Sequence, residues 1–202
     1  FTAYKLLADV GRLQPGESVL VHAASGRVGT SAIQLARLLG AGLVIGTVGS
    51  AAKIPAALEA GADHVILTED DFPAEVNRLT GGRGVDIVLD SIAGDVTRKS
   101  LACLAMYGRL VIFGSASGQP GQVATNELHA SCRALLGFSL GTTRNQHPEM
   151  LQATAEKVLS FLSEGSLKIK IGKTFRLEDA ALAHAYMESR QHTGKIVLQV
   201  ML

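Results

Sequence analysis

Short apolar runs alternate with stretches whose apolar residues recur at helical spacing over roughly the first two thirds of the chain. Val19-Leu20-Val21-His22-Ala23 is bounded by Pro15-Gly16 and Ser25-Gly26, the form of a buried parallel strand. Ile33, Leu35, Ala36, Leu38 and Leu39 follow with helical periodicity until Gly40-Ala41-Gly42 stops them, and Leu43 to Val48 returns to strand character. That completes one βαβ unit. The alternation continues with a helix over 56–60, a strand over 64–67, a helix over 73–80, a strand over 85–89, a helix over 96–104 and a strand over 108–113. Strands and helices at this spacing predict a mostly parallel sheet covered on both faces, the doubly wound α/β class.

The last third reads differently. Glu149 to Glu164 predicts a long amphipathic helix with Leu151, Val158, Leu159 and Leu162 apolar; a strand-like Lys168 to Phe175, a helix near Glu178 to Arg190 and a strand Lys195 to Val200 follow. The alternation from Lys168 to Lys173 is that of an edge strand with one wet face, which predicts a second sheet whose partner strands are not evident. The chain therefore divides into 1–145 and 146–202.

With 202 residues, 47% apolar and 18% charged, the chain is long enough for one generous domain or one domain and part of a second. A net charge of +1 gives no general attraction to nucleic acid or an acidic membrane, so any anion site must be local. Cys103 and Cys132 stand apart, without Cys or His at metal-ligand spacing, and read as free thiols in a reducing compartment. No run approaches the roughly 20 apolar residues that span a bilayer, and no signal peptide is visible; a cytoplasmic location without membrane partners is expected. The chain opens at Phe1, and its first dozen residues read as the middle of a helical segment, which hints at an excised part of a longer chain. The six histidines are scattered, so packing or surface roles are expected for each.

Chemistry concentrates after the first strand. In Ala23-Ala24-Ser25-Gly26-Arg27-Val28-Gly29, Gly26 allows a tight turn and Gly29 allows close helix–strand packing. The first N–H groups of the helix then face a pyrophosphate, favoured further by the helix dipole. The other reading is an ordinary turn in a glycine-rich chain. An NAD site generally has Asp or Glu at the end of the second strand, but no carboxylate occurs from Ser18 to Leu58. Gly49-Ser50-Ala51-Ala52-Lys53 offers a small turn, a hydroxyl and an ammonium suited to a 2′-phosphate, so NADPH is expected. Solvation of a helix start is the alternative role for Lys53.

Thr2-Ala3-Tyr4, the Val19 to Gly26 run, Gly46-Thr47-Val48-Gly49-Ser50, Gly61-Ala62-Asp63-His64-Val65-Ile66, Gly81-Gly82-Arg83-Gly84-Val85-Asp86, Asp90-Ser91 and Phe113-Gly114-Ser115 occur in order. With them the chain resembles the zinc-independent, zeta-crystallin-like NADPH:quinone oxidoreductases of the medium-chain dehydrogenase/reductase superfamily. The resemblance implies a Rossmann fold in which Ser25, Gly26, Arg27, Val28 and Gly29 meet the pyrophosphate and Gly49, Ser50 and Lys53 the adenosine phosphate. It places Ser91 on the adenosine side, Phe113, Gly114 and Ser115 along the nicotinamide half, Thr2 close to the nicotinamide, and Arg190 returning to the cofactor. For Ser91 and Ser115, hydroxyls that cap the next helix are the alternative.

The same resemblance implies hydride transfer from NADPH to a quinone or an α,β-unsaturated carbonyl, with no metal and no catalytic acid assigned in this chain. An enoyl thioester reductase, or a module that binds NADPH without turnover, are the rival readings. A separate N-terminal, GroES-like β-barrel domain that closes over the nicotinamide is absent, and residues 146–202 would partly pack on it. The Cys132 to Gly141 stretch resembles the strand through which relatives form a homodimer. Three departures from the family pattern stand out: Arg27 replaces a second glycine, Thr68 replaces a ring near the adenine, and Pro55 falls in the second helix, which predicts a regular helix starting there with Lys53 on a looser turn.

Overall fold

The computed structural model describes residues 1–200. Helix α1 (Thr2–Tyr4) continues as a π-helical turn over Lys5–Val10 and leads to β1 (Ser18–Val21). Then come α2 (Arg27–Leu38), β2 (Leu43–Val48), α3 (Ile54–Glu59), β3 (His64–Leu67), α4 (Phe72–Leu79), β4 (Val85–Asp90), α5 (Asp95–Ala102) and β5 (Leu104–Ile112). Next are α6 (Thr125–His129), β6 (Ala134–Gly137) and α7 (Leu140–Gln146). The chain continues through α8 (Gln152–Ser163), β7 (Ile171–Arg176), α9 (Ala180–Glu188) and β8 (Lys195–Gln199).

Strands β1 to β6 form one parallel sheet in the order β3-β2-β1-β4-β5-β6, with Val19 opposite Val44 on one side and Ile87 on the other. This is the doubly wound order, and the strand order reverses between β1 and β4. Both faces are covered. Leu20, Ile45, Val88 and Leu110 pack with Phe72 and Val76 on one side; Val19, Val21, Ile87 and Leu89 pack with Ile33, Leu35 and Ala36 of α2 on the other. Continuous apolar runs rather than alternation follow from that double burial.

Differences from the expected elements have local causes. The strand expected over 108–113 begins at Leu104, and the preceding helix stops at Ala102. Tyr107, at φ 62°, and Gly108 interrupt its regularity, which hides its first half from a periodicity reading. The segment expected from Lys168 is a strand only over Ile171–Arg176, and its partner is β8, parallel to it in a separate two-stranded sheet. The helix near Glu178 forms its regular part over Ala180–Glu188.

Candidate functional site

A crevice of about 340 Å³ opens where the strand order reverses, at the carboxyl ends of β1, β4 and β5. Its floor is His22, Ala23 and the loop Gly26, Arg27, Val28 and Gly29; Ser91 and Phe113 form one wall, and Met187, His192, Gly194, Lys195 and Ile196 the other. No carboxylate lines it.

The loop is built by close packing. Thr30 N–H donates to the Gly26 carbonyl at 2.9 Å, the first intrahelical bond of α2, so the N–H groups of Arg27, Val28 and Gly29 precede the helix ladder. A Cβ on Gly29 would stand 2.4 Å from the Ala23 carbonyl oxygen and 2.7 Å from Ala24 Cα. The close approach thus falls at Gly29, and Arg27 takes the exposed first position of the helix without crowding. Ala23 holds φ 50°, a left-handed turn at a residue with no obvious signature for it.

Beneath the loop, His22 is almost completely buried, and each of its ring nitrogens has a partner: Nδ1 is 2.8 Å from Thr47 Oγ1 and Nε2 is 2.8 Å from Ser100 Oγ. Ser100 donates its hydroxyl hydrogen to the Val96 carbonyl at 2.7 Å, so it accepts from Nε2–H, and Nδ1 accepts from Thr47. The ring is neutral. Burial pushes its pKa down to about 4, with Asp90 pulling the other way. The expected packing role is what the structure shows for this histidine.

Asp90 shapes the wall that carries Ser91. Its carboxylate accepts from the N–H groups of Ile92 and Ala93 at 2.7 and 3.0 Å and from Thr97 Oγ1 at 2.7 Å. Capping at this turn is therefore the work of Asp90, not of the Ser91 hydroxyl. Ser115 donates to the Gln119 carbonyl at 3.3 Å within its own loop.

At the end of β2, Ala51–Lys53 forms a 3-10 turn, and α3 starts at Ile54 with Pro55 in its first turn, as expected. The Lys53 ammonium donates to the Arg190 carbonyl, while Arg190 reaches the Ala116 carbonyl at 3.4 Å. Burial and then the Arg190 charge hold the Lys53 pKa below its usual range. Thr68 donates to the Val48 carbonyl at 3.1 Å in place of a ring at the strand end.

Of the expected site residues, Gly26, Arg27, Val28, Gly29, Ser91 and Phe113 meet in the crevice. Gly49, Ser50 and Lys53 stand on the turn beyond β2, and Gly114 and Ser115 follow β5. Ser25 is buried under the loop, where its carbonyl accepts from Gly194 N–H at 2.9 Å. Thr2 lines a neighbouring cavity of about 170 Å³ that shares Arg27 and Val28 with the crevice. Met187, His192, Gly194, Lys195 and Ile196 were not anticipated. Nothing in their spacing links them to the glycine loop after β1; Gly194, between a helix and a strand, is the one mark of a turn there.

A family model described as zinc-binding dehydrogenase matches residues 28–156, more than half of the chain. The 2-haloacrylate reductase of Burkholderia sp. is 38% identical over 205 residues, covering 98% of this chain and 60% of that protein. Among solved structures, Escherichia coli quinone oxidoreductase complexed with NADPH is 34% identical with a TM-score of 0.87, over 98% of this chain and 62% of that one. An NAD-dependent alcohol dehydrogenase is 36% identical with a TM-score of 0.88, over 99% and 56%. The chain spans about three fifths of the length of these curated relatives. Among the described residues, no group of three or more His, Cys, Asp or Glu is placed to hold a metal ion, so the donor set implied by the family's description is not formed by them. On the matched model, the shared sheet order and the crevice at its reversal point, the chain belongs to the zinc-binding dehydrogenase family and is similar to the quinone oxidoreductases of the medium-chain dehydrogenase/reductase superfamily.

Proposed function

We propose that this chain is the cofactor-holding part of an NADPH-dependent oxidoreductase whose acceptor is a quinone or an α,β-unsaturated carbonyl compound. Solved relatives are described with NADPH or as NAD-dependent, so likeness of fold does not choose between the two dinucleotides. The observation that supports NADPH is that no carboxylate occurs from Ser18 to Leu58, while Lys53 stands on the turn beyond β2, where an NAD site places its acid.

In this reading the N–H groups of Val28 and Gly29 and the backbone of Gly26 and Arg27 hold the pyrophosphate, with Ser25 shaping the loop from beneath. Lys53, with Gly49 and Ser50, holds the 2′-phosphate, and Arg190 turns from the Ala116 carbonyl toward the cofactor. Ser91 borders the adenosine side; Phe113, Gly114 and Ser115 border the nicotinamide, with Thr2 beyond them. NADPH, when bound, supplies the hydride. The chain orients it and keeps water from it. No side chain here is assigned a catalytic proton.

The exposed apolar residues Ile171, Leu182 and Leu198 fit a β-barrel domain packed on residues 146–202, which would complete the acceptor pocket. Strand β6, at the edge of the sheet with Leu135 exposed, fits a homodimer joined edge to edge. A cytoplasmic setting and chemistry without zinc belong to the same reading. No helix among the described residues is long and apolar enough to cross a membrane.

An enoyl thioester reductase is the second reading, favoured by a solved structure named as an enoyl reductase that is 31% identical with a TM-score of 0.87. Offered NADPH with a simple quinone, an enone and an enoyl thioester, the full-length enzyme is expected to oxidise NADPH with at least one of them. Faster turnover of the thioester selects the second reading. No oxidation with any of the three rejects the oxidoreductase assignment.

A further inference from the structure

The segment from Ser189 to Gly194 crosses from α9 to β8 over the mouth of the crevice. It is fixed against the phosphate loop by the bond from Gly194 N–H to the Ser25 carbonyl, 2.9 Å, and by a parallel bridge between Gly26 and Gly194. Gly194 holds φ 68°, and a Cβ there would meet the Lys170 carbonyl oxygen at 2.6 Å, so the path of this crossing is tightly set. His192 sits on it and lines the crevice together with Gly26, Arg27 and Gly29.

The His192 Nδ1 atom is buried and has no hydrogen-bond partner, the only side-chain nitrogen or oxygen among the described residues in that state. A buried polar atom without a partner carries its full desolvation penalty, and such an atom at a ligand crevice marks a contact the ligand completes. The groups around it are cationic or neutral: Lys53 beyond β2, Arg190 on the same crossing, Arg27 on the loop and Lys195 at the start of β8. From α9, the Tyr186 ring stands 6.3 Å from the imidazole, and from β7, Lys173 lies over that tyrosine at 4.7 Å. Burial and then the Lys53 charge lower the pKa of His192, against a pull from the Met187 carbonyl. These effects favour the neutral ring, and an arriving phosphate reverses the field it feels.

We propose that His192 reads the bound nucleotide: as a phosphate enters the crevice, the ring takes one proton from solvent and donates an N–H from Nδ1 to a phosphate oxygen. This rests on the nucleotide reading above and adds to it a residue and a proton linkage. Binding would then strengthen as pH falls toward neutrality, without any change in the phosphate loop.

Calorimetric titration at pH 7.5, in two buffers of different ionisation enthalpy, tests this on the wild type, His192→Gln and His192→Ala. The wild type is expected to take up as much as about one proton per nucleotide, and both variants none beyond what the nucleotide itself contributes. His192→Ala is expected to weaken binding about tenfold; His192→Gln, which keeps a neutral donor of similar size, should lose less. Weakening confined to NADPH assigns the oxygen to the 2′-phosphate, and equal weakening for NADH assigns it to the pyrophosphate; each supports the proposal. Equal proton uptake and equal affinity in all three proteins overturn it while leaving the nucleotide reading intact. A wild type that binds neither dinucleotide removes the nucleotide reading and this inference with it.

Discussion

The two sheets of this chain differ in how far they are finished. In the six-stranded sheet, Val19, Leu20, Ile87, Val88 and Leu89 are wholly inaccessible, covered by helices on both faces. In the β7–β8 pair, Ile171 is 52% and Leu198 37% exposed, and Leu182 on the adjoining α9 is 61% exposed. A parallel sheet is stable only when both faces are covered, and the large sheet meets that condition within the described residues. The small sheet does not. Yet the small one supplies the outer wall of the crevice, through Lys195 and Ile196 of β8 and the crossing that leads into it, so the less buried region positions part of the site while the more buried region holds it rigid.

Truncation should separate the two regions most sharply. Leu20→Ala, at a fully buried position, should cost about 2–5 kcal/mol in a urea unfolding experiment, whereas Leu182→Ala should cost less than about 0.5 kcal/mol. Comparable losses at both sites would mean that the C-terminal sheet is as tightly built in as the large one.

Acid should act on the large sheet through His22. Its pKa is about 4 in the folded state against an ordinary 6.5, so the unfolded chain binds the proton first as pH falls. Stability is fully present above pH 6.5 and is lost progressively toward pH 4, by up to about 3 kcal/mol from this group. Urea midpoints measured across that range in wild type and His22→Asn check this; equal slopes in both would reject the assignment.

Smaller effects are expected at the rim of the crevice. Gly29→Ala brings a methyl against the Ala23 carbonyl and should weaken dinucleotide binding at least about tenfold, near 1.4 kcal/mol, for NADPH and NADH alike. Retained affinity would show that the helix start is not the pyrophosphate site. Leu135→Lys on the edge strand β6 should leave stability within about 0.5 kcal/mol while shifting the protein to monomer in light scattering. A protein monomeric before substitution removes the edge-to-edge reading.

The alternation of strand and helix was legible because buried parallel strands and amphipathic helices differ in period, and because Gly40 to Gly42 and Pro55 mark real boundaries. The glycine loop after β1 was legible for the same reason: Gly26 and Gly29 lie at a strand-to-helix junction. What escaped was long-range. The pairing of β7 with β8 spans the whole of α9, and the wall formed by Met187 and Lys195 and the unpartnered His192 depend on this C-terminal segment meeting the loop after β1; no local spacing encodes either. The short helices α6 and α7 lack a buried stripe, and Asp90, which holds the Ser91 turn, reads in sequence only as the last residue of a strand.

Paired titrations of NADPH and NADH, monitored by nucleotide fluorescence on wild type and Lys53→Ala, test the cofactor assignment most directly. NADPH should bind at least about tenfold more tightly than NADH to the wild type, and Lys53→Ala should bring the two together by weakening NADPH alone. Tighter binding of NADH, or a Lys53→Ala variant that keeps the full preference for NADPH, would contradict the account.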